Sequence, residues 1–525
     1  MVTFSTTTYG FLLAFNAVFT YLLVNKIITS YRFKQFAKQN GCLDAPDVSG
    51  PFPYGIATLR RIFAMKTTGE DIIDDIIAED FKDHHTVKKT VFDGSVLVST
   101  NEPANLQHMF ATRFNDFETG KLRANIFYPL LGKSIFTSDG AFWEHSRSLF
   151  RPHFNRENIN DLQSTDRACD ALFEAIGPID STGWTAETPM LQLLYNFTID
   201  TATDFLFGES VESQRAAIRA KRGEPWPTNV PGSREFVEAM QVANDTTIMR
   251  LRLQSFYWVA DSFKFRKALK RIWKFTDSFV VKALDLAAEG KLGDEKKNSL
   301  LASLVTQTKD REELSGQTLA ILAAGRDTTA SLLAWTVAEL AIHPEIYAKL
   351  RDIVLRDFPK GTQPTFSQIK GCRYLQHVLQ EALRLHPTVP INSRCVARDS
   401  TLATGGGPDG KSPVAVQKGQ TIVFSVYLMQ RRKDLYGEDA LEFKPERWEQ
   451  RIPAWQWLPF LGGPRICIGQ QFALTEAGYL LVRLCWEFAG LEPVDREEMK
   501  KMKKGIGLTM WPADGTRVRF RKEVE

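Results

Sequence analysis

The pattern of apolar and polar positions changes character several times along the chain. From Val2 to Asn25 no side chain carries a formal charge, and Tyr9–Val24 is nearly all apolar. A helix over those ~24 residues would be about 36 Å long, enough to cross the hydrocarbon core of a bilayer. From about Glu70 to His386, apolar residues recur at three- and four-residue intervals, the signature of helices with one buried side. From about Cys395 to Val426 the pattern becomes β-branched runs broken by turns, at Gly405–Gly410 (GGGPDG) and at Lys418–Gly419. Phe472–Phe488 then reads as a further apolar helix. The expected fold is mostly α with a small β region late in the chain, preceded by one N-terminal transmembrane helix.

The flanks of the first stretch set its orientation. Lys26, Arg32, Lys34 and Lys38 follow the apolar run, which places the downstream side in the cytoplasm. A cleaved signal peptide would want basic residues before the run and a small-residue cleavage site after it; VNKIITS offers none. Asn16 and Thr20 weaken the span without removing it. Ala45–Gly55 (APDVSGPFPYG) has the proline and glycine content of a hinge, dividing the chain into an anchor with a basic flank, 1–44, and one catalytic domain, 45–525. Lys221–Ser233 reads as a surface loop. With a cytosolic catalytic domain, the sequons at Asn196 and Asn244 stay unglycosylated.

Composition narrows the class. The chain has 525 residues, 43% hydrophobic and 24% charged, ample for a large buried core. A net charge of +4 gives no reason to expect nucleic acid. The basic clusters Arg431–Lys433 and Lys500–Lys504 read as solvated faces. Six cysteines lie scattered without paired or zinc-type spacing, so they read as reduced thiols. A cysteine that does chemistry here acts singly.

Cys467 is the candidate. Gly462, Gly463 and Pro464 precede it, Gly469 follows, and a helix begins just beyond, so backbone N–H groups face the sulfur. Arg465 adds a cation suited to a carboxylate. This grammar serves a reactive nucleophile as well as a metal ligand. The spacing Phe460, Gly463, Arg465, Cys467, Gly469 resembles the haem-binding signature F-x-x-G-x-R-x-C-x-G of cytochromes P450 at every fixed position. The resemblance implies haem b, an iron held by the Cys467 thiolate, Phe460 packed near the sulfur and Arg465 on a haem propionate.

Three further segments resemble the same family in the expected order. Ala324-Gly-Arg-Asp-Thr-Thr329 lies in an apolar-periodic stretch from about Leu314 to Ile342. Read alone it is a polar turn interrupting a core helix, although its threonines could also bond back to preceding carbonyls. By resemblance it is the oxygen-activation motif, in which Thr328 and Asp327 deliver protons while Ala324 and Gly325 let the helix pass over the haem. Glu381 and Arg384 share a helix face, and with Arg447 of Lys444-Pro-Glu-Arg-Trp448 the resemblance implies a buried structural network. Trp143 and Arg147 (W-x-x-x-R) are four apart on one face, able to reach one anionic group, by resemblance a propionate. Arg394 fits a third propionate contact.

Gly132–Phe154, Ala323–Ala330 and Phe460–Ala477 are similar to the fungal membrane-bound alkane and fatty-acid ω-hydroxylases of this family. The resemblance implies a monooxygenase hydroxylating a lipophilic substrate with O2 and electrons from NADPH, delivered by NADPH–cytochrome P450 reductase. It also implies a single pass through the endoplasmic reticulum membrane with the catalytic domain cytosolic. The segment from Phe114 to Phe136, which helps line the pocket in the family, carries Asp116, Glu118, Lys121 and Arg123. Asn392-Ser393 replaces the apolar residues expected along a chain channel, which keeps open a tailoring enzyme of fungal secondary metabolism. A haem-thiolate isomerase or dehydratase is a further alternative, against which the Asp327–Thr328 pair argues.

Overall fold

The computed structural model describes residues 6–525 except 53, 69, 155–161, 226–229, 292–298 and 524–525. These form two compact units, one of Met1–Ala64, Ile76–Glu118 and Ser393–Phe424, the other of Met65–Asp75, Thr119–Asn392 and Ser425–Glu525.

The first unit is built on a sheet. Strands β1 (Thr86–Thr90), β2 (Val96–Thr100), β3 (Phe117–Glu118), β4 (Ile391–Val396) and β5 (Thr421–Ser425) lie in the order β1-β2-β5-β4-β3. β1 and β2 are antiparallel, whereas β2 runs parallel to β5 with Val98 opposite Ile422. The late strands were expected from the sequence; β1 and β2 fall within the stretch read as helix-rich. Five-residue runs are too short for periodicity to separate the two states, and the partner strand of β2 lies more than 300 residues further on. Asn105 ties the layers together: its Nδ2 reaches Thr86 Oγ1 (3.0 Å), Thr100 Oγ1 (3.1 Å) and Thr404 O (3.0 Å). Gly405, at φ 109°, lies so close to Thr86 that a Cβ would overlap its side chain. Asp116 is buried under Arg398 and Ser400 Oγ (2.7 Å).

Helix α1 (Thr6–Gln39) runs through the apolar stretch and on through its basic flank. Its Leu13–Gln39 portion is long and apolar enough to cross a membrane, and none of the apolar window is buried. The stretch expected as a hinge is laced to the sheet instead: Lys88 N donates to Pro46 O (2.8 Å), Val48 N to Lys88 O (3.0 Å) and Thr90 N to Ser49 Oγ (2.7 Å). A proline-rich segment lacks regular structure of its own, but its carbonyls still accept from a neighbouring strand.

The second unit is helical. It contains α2 (Lys121–Leu131), α3 (Gly140–Phe150), α4 (Met190–Phe207), α5 (Ser233–Leu253), α6 (Arg311–Ile342), α7 (Arg373–Leu385) and α8 (Gln470–Glu487), among shorter elements. Of the loop expected over Lys221–Ser233, residues 226–229 lie outside the described residues. α6 is the spine. Asp310 caps it, accepting from Glu312 N (3.0 Å) and Glu313 N (3.2 Å). Leu332, Leu333, Val337 and Leu340 of α6 share one core with Leu375, Leu379 and Leu383 of α7 and Leu480, Leu481 and Leu484 of α8. Each such leucine contributes about 1.5–3 kcal/mol by leaving water. The Ala324–Thr329 string does not interrupt α6, which continues as helix for 32 residues. A second antiparallel sheet, Thr188–Pro189, Arg517–Arg521 and Gly490–Pro493, closes the far side of this core; the sequence pattern did not suggest it.

Candidate active site

The cysteine loop is shaped by its glycines and by one backbone bond. Gly463 adopts φ 67°, Gly463–Arg465 forms a single 3-10 turn, and Cys467 N donates to Phe460 O (2.9 Å). The chain then enters α8 at Gln470. Cys467 keeps accessible surface, yet desolvation raises its thiol pKa, opposed by the Gly469 N–H and by Arg147. The sulfur is thus reachable at the surface of its loop while protein packs closely around it. The helix-entry N–H groups and the Arg147 cation favour the thiolate, and burial opposes them more strongly; a bound metal cation would shift that balance toward the thiolate. Phe460 is half-buried beside Trp457, ring to ring at 6.2 Å.

Next to this loop the positive charge exceeds the negative. Arg465 donates to Asp139 Oδ1 (2.5 Å) and Thr119 Oγ1 (3.0 Å), and its guanidinium lies 4.2 Å from the ring of Trp143. Among the described residues Arg147 donates to the Ile466 carbonyl (3.0 Å), and it lies 6.0 Å from the same ring. Arg123, which the sequence left without a role, donates to Asn392 Oδ1 (2.6 Å). Its pKa falls to about 10 because burial and the neighbouring Arg465 cation disfavour its charge more than Asp139 supports it. Neither Arg123 nor Arg147 has a carboxylate within ion-pair distance among the described residues. Asp139 is also committed to the N–H groups of Thr119 (2.9 Å) and Gly120 (3.1 Å). Three guanidiniums against one carboxylate are costly unless an anion joins them. Arg123 could have been suspected in the sequence only as one charged residue among four in its segment. Arg394 belongs to the sheet unit, where it is buried against Phe110 (4.9 Å) and donates to Ser393 O (2.8 Å).

On α6, one face departs from the rest. Leu319–Leu322 and Thr329–Ile342 are buried, but Ala323, Ala324, Gly325, Asp327 and Thr328 are only half so. A Cβ on Gly325 would meet nothing within 4 Å. A helix in the middle of a core with an open, nearly bare face fits a flat apolar group laid against it. Thr328 Oγ1 donates to Ala324 O (2.7 Å). Asp327 is held away from that bond: Oδ1 accepts from Arg326 Nη1 (3.0 Å) and Oδ2 from Asn244 Nδ2 (2.8 Å). Burial raises its pKa against the opposing pull of Arg326 and Asn244. Asn244 was visible in the sequence only as an unused sequon; it and Asn196 are both buried.

The web beneath the cysteine loop is complete. Arg384 makes a two-pronged bond to Glu381 (Nε–Oε2 2.9 Å, Nη2–Oε1 2.8 Å), both residues being fully buried. Glu381 also accepts from Arg447 Nε (3.2 Å), Trp448 Nε1 (3.0 Å) and Lys444 N (3.1 Å). The spare guanidinium protons of Arg384 go to the carbonyls of Gln430, Ala440 and Glu442. Gln430, missed in the sequence, links this web to the loop by accepting from Leu458 N (2.7 Å). The basic clusters are engaged: Arg432 pairs with Asp434, Lys433 with Glu438, Lys500 with Glu497, Lys501 and Lys503 with Glu498, and Lys504 with Asp71 and Asp74.

A thiol at a helix entry, a helix face of small residues and, among the described residues, more guanidiniums than carboxylates suit a haem with a sulfur ligand and two acidic side groups. The family profile described as Cytochrome P450 matches residues 59–518, and the chain belongs to that family of haem-dependent monooxygenases. It is 39% identical over 520 residues to Cytochrome P450 52A13 of Debaryomyces hansenii, covering 95% of this chain and 96% of the relative. It is 43% identical over 432 residues to Cytochrome P450 52A5 of Candida maltosa, covering 81% and 80%. It is likewise 39% identical over 518 residues to Cytochrome P450 monooxygenase g430 of a Fusarium species, covering 96% and 89%.

Proposed function

We propose that this monooxygenase hydroxylates an n-alkane or fatty acid at or near the chain terminus, with electrons passed from NADPH by cytochrome P450 reductase. The observation that carries the substrate reading is the likeness to the P450 52A relatives over nearly the whole chain, joined to the resemblance of Gly132–Phe154, Ala323–Ala330 and Phe460–Ala477 to ω-hydroxylases. In this reading α1 spans the endoplasmic reticulum membrane once, with residues 45–525 cytosolic.

Bound haem, ligated by a thiolate, supplies the activation of dioxygen. The protein's own residues do the rest. Cys467 supplies the sulfur, and Gly463 and Gly469 keep its loop compact beside Phe460. Arg465, Arg147, Trp143 and Arg123 would hold the acidic edge of a bound haem, and the family resemblance would add Arg394 as a further propionate contact. Ala324 and Gly325 leave room above the ring. Asp327, whose pKa burial raises against the pull of Arg326 and Asn244, passes a proton toward the Thr328 hydroxyl, which can release its bond to Ala324 O to carry it.

Reconstituted turnover of alkanes and fatty acids, with product positions read by mass spectrometry, tests this. Terminal or near-terminal alcohols are expected; reductase-independent turnover, or a rigid polycyclic substrate as the only one accepted, would sink it. The half-buried Arg123–Asn392 pair favours one second reading, a tailoring oxygenase for a substrate with a polar group, and the same assay separates the two. The Cys467→Ala variant is expected to lose the thiolate-type carbon-monoxide spectrum.

A further inference from the structure

Asn244 lies on α5 and Asp327 on α6, and their side chains meet at 2.8 Å. Asn244 is 8% exposed, and among the described residues its Oδ1 has no hydrogen-bond partner. A buried acceptor left idle is costly in a native fold and calls for a role. We propose that Asn244 is a positioning residue for proton delivery, an amide that serves Asp327 in both of its protonation states. With the acid ionised, Nδ2 donates to Oδ2, the arrangement seen. A solvent hydronium ion gives up a proton, an O–H bond forms on Oδ2, and water is left behind. The amide then turns over, so that Oδ1 accepts from the new O–H. Release of that proton toward Thr328 restores the carboxylate, and the amide turns back; no bond to Asn244 forms or breaks.

The surroundings explain why an amide suits this position. Arg326 already supplies one cation, its guanidinium 5.1 Å from the Tyr195 ring of α4. A second cation would lock the acid in its ionised form, and a second carboxylate would repel it. Tyr195 has its pKa pushed up by burial and by Asp327, so it stays neutral. Asp245, the next residue of α5, is exposed and accepts from Gln241 instead.

The inference rests on Asp327 as the proton donor, so the experiment carries Asp327→Asn beside the Asn244 variants. The full chain, haem-loaded and reconstituted with reductase, is compared as wild type, N244L and N244D. In N244L, substrate affinity and KM should hold within about twofold while kcat falls about tenfold and its solvent deuterium isotope effect rises. In N244D the acidic limb of the kcat–pH profile should move upward, since two carboxylates share one site. If both variants keep the wild-type kcat, isotope effect and pH limb while Asp327→Asn loses turnover, the role of Asn244 is refuted. Losses of kcat matched by equal losses of affinity and thermal stability would also refute it, as packing alone. If Asp327→Asn itself turns over normally, the assignment of Asp327 fails, and that of Asn244 with it.

Discussion

Two carboxylates in the helical unit, Glu381 fully buried and Asp327 half-buried, are treated in opposite ways. Glu381 takes up bonds from Arg384, Arg447, Trp448 and the Lys444 backbone, so its capacity is filled by groups that cannot leave. Asp327 is met by one cation and one neutral amide, and its pKa is raised. The first arrangement fixes a loop; the second keeps an acid able to change its charge. The difference teaches that burial alone does not mark a catalytic carboxylate. What marks it is burial with partners that tolerate both charge states.

The comparison can be broken at several points. The largest effect is expected from Glu381→Ala, which strands the fully buried guanidinium of Arg384 and removes one contact of Arg447. Losing one partner of such a pair costs about 3–5 kcal/mol, so little folded protein with a thiolate-type carbon-monoxide spectrum should be recovered. Asp327→Asn should fold and bind haem normally, with kcat lowered on the order of 10–100-fold and reducing equivalents diverted to hydrogen peroxide; a drop in folded yield equal to that of Glu381→Ala would erase the contrast. Arg123→Leu is expected to loosen haem, seen as faster transfer to apomyoglobin, by about 1–2 kcal/mol for one lost charge-assisted bond. If haem loss is unchanged but fatty-acid affinity falls, Arg123 serves the substrate carboxylate instead.

The smallest effect concerns a third buried acid, Glu476 of α8, whose pKa burial raises to about 7 despite a hydrogen bond from Thr201. The unfolded carboxyl ionises near pH 4.3. Between there and about pH 7 the folded state therefore holds the extra proton, and stability falls as pH rises. Glu476→Gln should flatten that part of the Tm–pH curve, by a few degrees at most. A slope left unchanged would mean that burial does not hold a proton on Glu476.

What was legible in the sequence follows from where the constraints are local. Cys467, its glycines and the Ala324–Thr329 string are short-range grammar, set by turn geometry and by the spacing of one helix face. The web around Glu381 was half legible: Arg384 lies one turn away, but the carbonyls of Gln430, Ala440 and Glu442 carry no side-chain signal at all. Asn244 and Arg123 were illegible, since each acquires its meaning only when a second element packs against it. The same holds for β1 and β2, whose five-residue runs become strands because a parallel partner arrives from the far end of the chain.

The lacing of Pro46–Ser49 to β1 has a mechanical consequence. Leu43 N donates to Pro413 O and Gly407 N to Asp44 O, while Gly41 N and Cys42 N bond back to Lys38 O and Ala37 O of α1, so any play between α1 and the pinned chain is limited to that short, bonded turn. About 14 residues of α1 lie beyond Asn25 and continue it by about 20 Å at 1.5 Å per residue. With the apolar stretch in a bilayer, those turns would form a stiff post with a short swivel at its tip. Such a mount permits rotation about one point while forbidding excursions along the membrane normal.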